Sequence, residues 1–180
     1  VGSKRQARTR AWRFFLTMLV ELEAAVLDQD KAVYVRIYSW WKLVAHWGVH
    51  RFDDHRGLPP GCISWTRRGM SYDLVRSKTT GAGKKTLERP GLVSRDAFFV
   101  FKDWLEVGYE LLVAQGGNDR DYLLMLPAPG LGSCLGAELV YQDACAASRM
   151  LLSGLTSGGE VLLCPEGTRR ERGSRVPPPP

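Results

Sequence analysis

Apolar residues recur at helical spacing in two consecutive segments near the start of the chain. The first segment covers residues 11–28, and a polar break at Asp28–Asp30 separates it from the second, which Asp30 can cap. Two consecutive amphipathic helices favour an antiparallel pair with a shared core. The apolar positions are Trp12, Phe15, Leu16, Leu19, Leu22 and Val26 in the first helix, and Val33, Ile37, Trp40, Trp41, Val44 and Gly48 in the second.

Alternation of polar and apolar residues replaces helical spacing after a proline-rich turn at residues 58–61. Residues 72–79 alternate and predict a strand, residues 80–83 predict a turn, and residues 84–89 predict the returning strand. Pro90 and Gly91 are expected to end this β-hairpin.

Two further helices are predicted in the second half of the chain. Ser94 can cap a third helix that ends before residues 116–118, and a fourth covers roughly residues 135–155 with Tyr141 on its buried side. Residues 122–126 are expected to form a short buried extended piece between them. The predicted fold class is therefore α+β and mostly α, with helices around a small antiparallel β-hairpin or sheet.

Composition fits one domain in residues 11–155, between a basic, disordered lead-in at residues 1–10 and a disordered Arg/Gly/Pro tail at residues 156–180. The 180 residues are 44% apolar, which is enough for a core, and the start at Val1 suggests a piece of a longer protein. No apolar stretch approaches the ~20 residues of a membrane span, so no membrane association is expected. The cysteines lack the paired spacing of a zinc knuckle or disulfide framework, which favours an intracellular location.

The net charge of +6 is unevenly distributed. Residues 1–13 carry a net +5 and residues 66–95 a net +6, whereas residues 96–164 carry a net −6. A basic segment of this kind favours a polyanion, because each neutralised phosphate releases counterions. A solvated, solubilising surface is the alternative explanation.

Four cations lie in or near the predicted hairpin. Arg76 and Lys78 share one strand face, because side chains two apart point the same way, and Lys84 and Lys85 follow the turn. Such a hairpin suits a nucleic-acid groove, although exposed lysines also protect ordinary sheet edges. The segment does not match a phosphate-binding P-loop, since Lys78 stands where the first glycine belongs.

The end of the second helix offers a second candidate site. Arg51 falls at this helix end and Asp54 follows within reach for an ion pair or a cap, so a fixed guanidinium could bind a phosphate bidentately. His46 and His50 stand four apart, but a third metal ligand is missing and Arg51 would repel a cation. No metal site is predicted there, and a structural or solvent-facing role is expected for both and for His55.

The order of these features resembles the first half of the catalytic domain of tyrosine recombinases, or phage integrases, of the mobile-element type. The resemblance runs over about residues 30–155 and rests on Gly48-x-x-Arg51-x-x-Asp54, on Leu58, Ile63 and Trp65, and on Ser77-Lys78-Thr79 in a hairpin. The family pattern has one residue fewer between the glycine and the arginine, and Glu in place of Asp54. The resemblance implies that Arg51 stabilises charge on a scissile phosphate, that Lys78 is the general acid toward the leaving 5′ oxygen, and that Asp54 supports Arg51.

The resemblance also implies partners and limits. It implies that the protein binds DNA, in association with DNA integration and recombination, and that several copies of the chain can assemble on the DNA. It implies no metal and no small-molecule cofactor. If the source is a eukaryote, it implies a nuclear location. The family needs a His-x-x-Arg box and a nucleophilic tyrosine, yet no histidine or tyrosine follows Leu155. We therefore expect an incomplete catalytic domain, truncated and catalytically inactive, since these groups act together.

Two other functions fit the sequence. Residues 66–95 could belong to a non-catalytic nucleic-acid-binding module of different origin. The other possible function is that of a helical protein-interaction fragment, because Trp40 and Trp41 are adjacent and one of them could face outwards towards a partner.

Overall fold

A computed structural model of the chain describes residues 16–56, 58–75, 82–83, 89–116, 118–154, 156–157 and 160–161. These residues form an α+β structure of helices around small antiparallel sheets. The helices are α1 (Leu16–Leu27), α2 (Val33–Trp47), α3 (Phe52–Arg56), α4 (Trp104–Gly116) and α5 (Tyr141–Ser153). The strands are β1 (Ile63–Thr66), β2 (Gly69–Leu74), β3 (Arg89–Ser94), β4 (Met125–Pro127), β5 (Cys134–Glu138), β6 (Thr156–Ser157) and β7 (Glu160–Val161).

Helices α1, α2 and α4 pack against one another and contribute half of the buried residues of the hydrophobic core. The first two predicted helices are present within the described residues, and Leu19, Leu22, Val26, Ile37 and Val44 are buried together at the predicted 3.6-residue period. Leu16 is 58% exposed, however, and Trp12 and Phe15 lie outside the described residues. Trp40 is 0% exposed and Trp41 3% exposed, so the expectation that one of them faces outwards is wrong. The indole N–H of Trp40 donates to the Leu105 carbonyl at 2.8 Å, which ties α2 to α4. None of the helices in the described part of the chain is long and apolar enough to cross a membrane.

The main sheet has the order β1-β2-β3 with antiparallel neighbours. Strands β2 and β3 pair with each other, but β2 begins at Gly69, three residues before the predicted strand, and β3 covers Arg89–Ser94. Most of the predicted hairpin, residues 76–81 and 84–88, lies outside the described residues. Pro90 and Gly91 lie within β3 and do not end it. The edge position of β3 tolerates a proline, and a Cβ at Gly91 would clash with the Tyr72 ring, so the glycine is required there.

The third helix begins at Trp104, ten residues after the predicted Ser94 cap. The reason is a buried carboxylate on α1. Glu23 is 0% exposed, and its two oxygens accept backbone N–H groups from Phe99, Val100 and Phe101 at 2.8–3.0 Å. These bonds hold the segment before α4 in a non-helical conformation.

The fourth helix begins at Tyr141, because the residues before it form β5 and pair with β4. Tyr141 is 64% exposed, so its predicted burial is wrong; Ala144, Leu151 and Leu152 form the buried side of the helix instead. Of the extended piece predicted at residues 122–126, only Met125 and Leu126 lie in a strand, whereas Leu123 to Met125 are buried as predicted. Strands β6 and β7 pair with each other inside the range predicted as a tail.

Candidate nucleic-acid interface

The chain reverses its direction directly after α2 and thereby places the residues around Arg51. Val49 has a φ of 53°, in the left-handed region, and is 84% exposed. The N–H of Gly48 donates to the Val44 carbonyl and that of His50 to the Ala45 carbonyl, both at 2.9 Å. These bonds satisfy the carbonyl groups at the helix end, as other reversals of this kind do. The reversal turns His50 towards the sheet and leaves Arg51 exposed.

Asp54 caps the start of α3. Its Oδ2 accepts the backbone N–H of Arg51 at 2.8 Å, and the Asp54 N–H donates to the Arg51 carbonyl at 3.1 Å. The sequence allowed either an ion pair with Arg51 or a helix cap for Asp54, and the structure shows the cap. The carboxylate positions the backbone of Arg51, and the described residues include no ion pair between the Asp54 carboxylate and the Arg51 guanidinium. The guanidinium consequently keeps its donors for an external anion.

A short hydrogen bond joins this turn to strand β2. The Tyr72 hydroxyl and the His50 Nε2 are 2.6 Å apart, and their rings meet edge to face at 5.1 Å. Burial raises the pKa of Tyr72 to about 12, so the hydroxyl keeps its proton at neutral pH. Burial also lowers the pKa of His50. The charge of Asp54 acts in the opposite direction and raises this pKa, whereas the charge of Arg89 lowers it further. His50 is thus a structural connection, and α2 has ended before it, so it does not share a helix face with His46.

Arg89 is the second exposed cation at this end of the sheet. It pairs in register with Leu74, the last residue of β2, and its charge acts on both His50 and Tyr72. The predicted DNA-contacting residues Arg76, Lys78, Lys84 and Lys85 lie outside the described residues. In the sequence they lie between Leu74, the last described residue of β2, and Arg89, the first described residue of β3.

The opposite end of the sheet carries a cation with partners of its own. Arg95 forms an ion pair with Glu106 at 3.5 Å and lies over the Trp65 ring at 5.5 Å. Its charge is therefore partly satisfied within the molecule, unlike that of Arg51.

Sequence reasoning missed two features near this turn. His55 is 2% exposed, which excludes a solvent-facing role, and neither of its ring nitrogens has a hydrogen-bond partner among the described residues. A cleft of about 380 Å³ lies between α2 and α5, with Lys42 and Cys145 in its lining. A lysine on a helix surface normally faces solvent, so no local signal marked Lys42; the cleft depends on α5, far along the chain.

Within the described ranges, no group of three or more His, Cys, Asp or Glu side chains is arranged to hold a metal ion. No protein-family model matches the chain, and no curated protein is significantly similar to it.

Proposed function

We propose that this protein binds duplex DNA through its phosphate backbone, using Arg51, Arg89 and the cations of residues 76–85. The hydrogen bond between Tyr72 and His50 is the observation that carries the proposal. It fastens the strand that leads into the basic segment to the turn that presents Arg51. Two parts of the chain that the sequence marks separately as phosphate-binding are thereby joined.

The electrostatics support the same surface. Arg51 is exposed with its backbone fixed by Asp54, and Arg89 is exposed at the base of the segment that holds four further cations. The planar guanidinium of an arginine can bind two oxygens of one phosphate, which a lysine ammonium cannot do with the same geometry. Binding by such a surface is expected to be sensitive to salt and tolerant of sequence.

The resemblance to tyrosine recombinases supplies the finer part of the proposal. The fold is proposed to correspond to the first half of their catalytic domain, with Arg51, Asp54 and Lys78 in the corresponding positions. The proposal concerns DNA binding by this chain; residues 156–180 contain no histidine and no tyrosine, so the nucleophile and the His-x-x-Arg box that the family needs for strand cleavage are not among them.

Duplex binding is tested by titrating the full chain with a labelled DNA duplex at several salt concentrations. We expect Arg51→Ala and Lys78→Ala each to weaken binding about tenfold and to reduce the salt slope by about 1, as the loss of one phosphate contact does. Lys31→Ala is the charge-matched control, because Lys31 precedes α2 at its far end, roughly 20 Å from Arg51 by helix rise. Absence of binding at low salt, or equal losses in all three variants, would remove the proposal.

Cleavage is tested separately with a nicked suicide duplex and denaturing electrophoresis. The expected result is no covalent protein–DNA adduct. A trapped adduct would contradict binding without cleavage while leaving the DNA-binding surface in place.

A further inference from the structure

The cleft between α2 and α5 has walls that are apolar and largely aromatic. Helix α2 contributes Trp41, Lys42, Ala45 and His46, the turn and α3 contribute His50 and Phe52, and α5 contributes Tyr141, Ala144, Cys145 and Ser148. The volume of about 380 Å³ is within the range of small-molecule sites, and the spacing of the α5 residues places them on one helix face.

The two walls are held together by hydrogen bonds from a buried tyrosine. The Tyr38 hydroxyl donates to the Ala144 carbonyl at 2.6 Å, and it lies 2.9 Å from the Ser148 hydroxyl. Because the tyrosine has one proton and the carbonyl can only accept, the Ser148 hydroxyl is the donor in the second bond. At the α3 side of the cleft, the rings of Phe52 and Tyr141 meet edge to face at 5.4 Å. The cleft is therefore a preformed feature of the packed helices.

Lys42 is the cation of the cleft and has aromatic neighbours instead of acidic ones. Its Nζ lies 4.6 Å from the Trp41 ring centroid and 5.3 Å from that of Tyr38. None of the residues that line the cleft is acidic, and Lys42 has no ion pair among the described residues. Cation–π contacts hold an ammonium in place without neutralising it, so its charge is left for a ligand.

We propose that this cleft binds a small planar aromatic carboxylate, with the carboxylate paired to Lys42 and the ring against Phe52, Tyr141 and the part of Trp41 that lines the cleft. The chemistry of the lining carries this assignment. An apolar, aromatic lining favours a flat ring, and one unpaired ammonium without competing carboxylates favours a single negative charge. His50 lines the cleft and also belongs to the Arg51 turn, but the ligand contacts are assigned to Lys42 and the DNA contacts to Arg51 and the basic segment, so variants of these residues test the two proposals separately.

The test compares two probes of the same shape on the full chain by isothermal titration calorimetry: 2-naphthoate and its neutral isostere 2-naphthamide. We expect saturable 1:1 binding of 2-naphthoate, about tenfold tighter than the amide, since a hydrogen bond to a charged group has roughly that effect. Lys42→Met should remove the preference by weakening the naphthoate alone, and Lys42→Arg should keep it. Lys31→Met, which removes a lysine outside the cleft, should leave both affinities unchanged.

A measurement on the unaltered protein locates the bound probe. Cys145 lines the cleft, whereas Cys62 and Cys134 do not. Saturating 2-naphthoate should slow iodoacetamide alkylation of Cys145, read by peptide mass spectrometry, and leave the rates at Cys62 and Cys134 unchanged. The proposal is overturned by absence of saturable binding, by a preference that survives in Lys42→Met, or by unchanged alkylation of Cys145.

Discussion

The hydroxyl group of Tyr72 is the smallest part on which the proposed DNA-binding surface depends. Tyr72→Phe deletes the hydrogen bond to His50 and leaves the Nε2 of that histidine without its partner. We expect a loss of about 1 kcal/mol in the free energy of unfolding, and weaker DNA binding because the Arg51 turn is no longer fastened to β2. Urea unfolding and the duplex titration measure the two effects.

Tyr109→Phe is the matched control for that change. Tyr109 is partly buried and its hydroxyl makes no hydrogen bond within the described residues, so its removal should change stability by less than about 0.5 kcal/mol. Equal stability and equal DNA affinity of the two variants would show that the Tyr72 hydroxyl does not hold the turn.

Lys42 makes the proposed ligand binding dependent on pH in an unusual range. Burial lowers the pKa of Lys42 to about 8, with Cys145 acting weakly in the opposite direction. The ammonium is present below that pH and is lost above it, so 2-naphthoate affinity should fall as the pH rises from 7 to 9.5. An ordinary lysine, which titrates near pH ~10.4, would give an almost flat profile over this range.

The other titratable groups at the cleft are His46, His50, Cys145 and Tyr141. Lys42→Arg separates their effect from that of Lys42, because a guanidinium stays charged throughout this range. The affinity of this variant for 2-naphthoate should be constant between pH 7 and 9.5. A parallel decline in Lys42→Arg would assign the pH dependence to those neighbours.

At the scale of elements, one side chain of α1 determines where α4 begins. Glu23→Gln leaves a single acceptor oxygen for three backbone N–H groups and sets an NH₂ against donors. We expect a loss of about 3 kcal/mol in the free energy of unfolding, because charge-assisted bonds are lost from a buried site. Chemical denaturation measures it.

Glu21→Gln is the control on the same helix. Glu21 is partly exposed and has no hydrogen bond or ion pair among the described residues, so its substitution should be nearly neutral. Similar unfolding midpoints for the two variants would mean that the hydrogen bonds of the Glu23 carboxylate contribute little to stability.

Glu23 shows which helix boundaries could be predicted from the sequence and which could not. Helices α1 and α2 were predictable because burial follows a period of 3.6 residues along each of them. The start of α4 was not predictable, because the backbone N–H groups just before it are bound by the carboxylate of Glu23, which lies 76 residues before Phe99 in the sequence. Ser94 has the local signature of a helix cap, yet a distant carboxylate prevents the helix from starting there.

In the sheet and the candidate site, too, the features set by neighbouring residues were predictable from the sequence, and those set by distant residues were not. Asp54 was recognisable as a cap because its partner, Arg51, is three residues away. Gly91 read as a strand end, and only the packing of the Tyr72 ring shows why a glycine stands inside β3. The pairing of His50 with Tyr72 and the cleft at Lys42 depend on contacts between separate elements, for which one sequence carries no local pattern.

At the scale of the whole molecule, His55 couples folding to pH. It lies where α2, α3 and the Arg51 turn meet, with its ring 5.1 Å from that of Trp41 and 4.8 Å from that of His50. Complete burial holds the pKa of His55 well below its usual range, and the pKa of His50 is lowered as well. Both histidines are therefore neutral in the folded protein under conditions where an unfolded chain takes up protons.

The direction of the effect follows from proton binding. Below about pH 6.5 the unfolded state binds more protons than the folded state, so the stability contributed by a neutral histidine is present above that pH and is lost as the pH falls. Each histidine contributes a slope of up to about 1.4 kcal/mol per pH unit in that window. Urea unfolding between pH 7 and 5, above the range where most carboxylates titrate, should show a marked decrease in stability.

His55→Phe tests whether this buried ring is the cause. Phenylalanine keeps the aromatic contact with Trp41, and it removes a group whose nitrogens have no partner among the described residues, so the variant should fold at pH 7. Its stability should then decline less steeply between pH 6.5 and 5 than that of the unaltered protein, with the remaining slope due to His50. An unchanged slope would place the acid sensitivity elsewhere in the molecule. A reduced slope would show that protonation of His55 on unfolding causes part of the acid sensitivity.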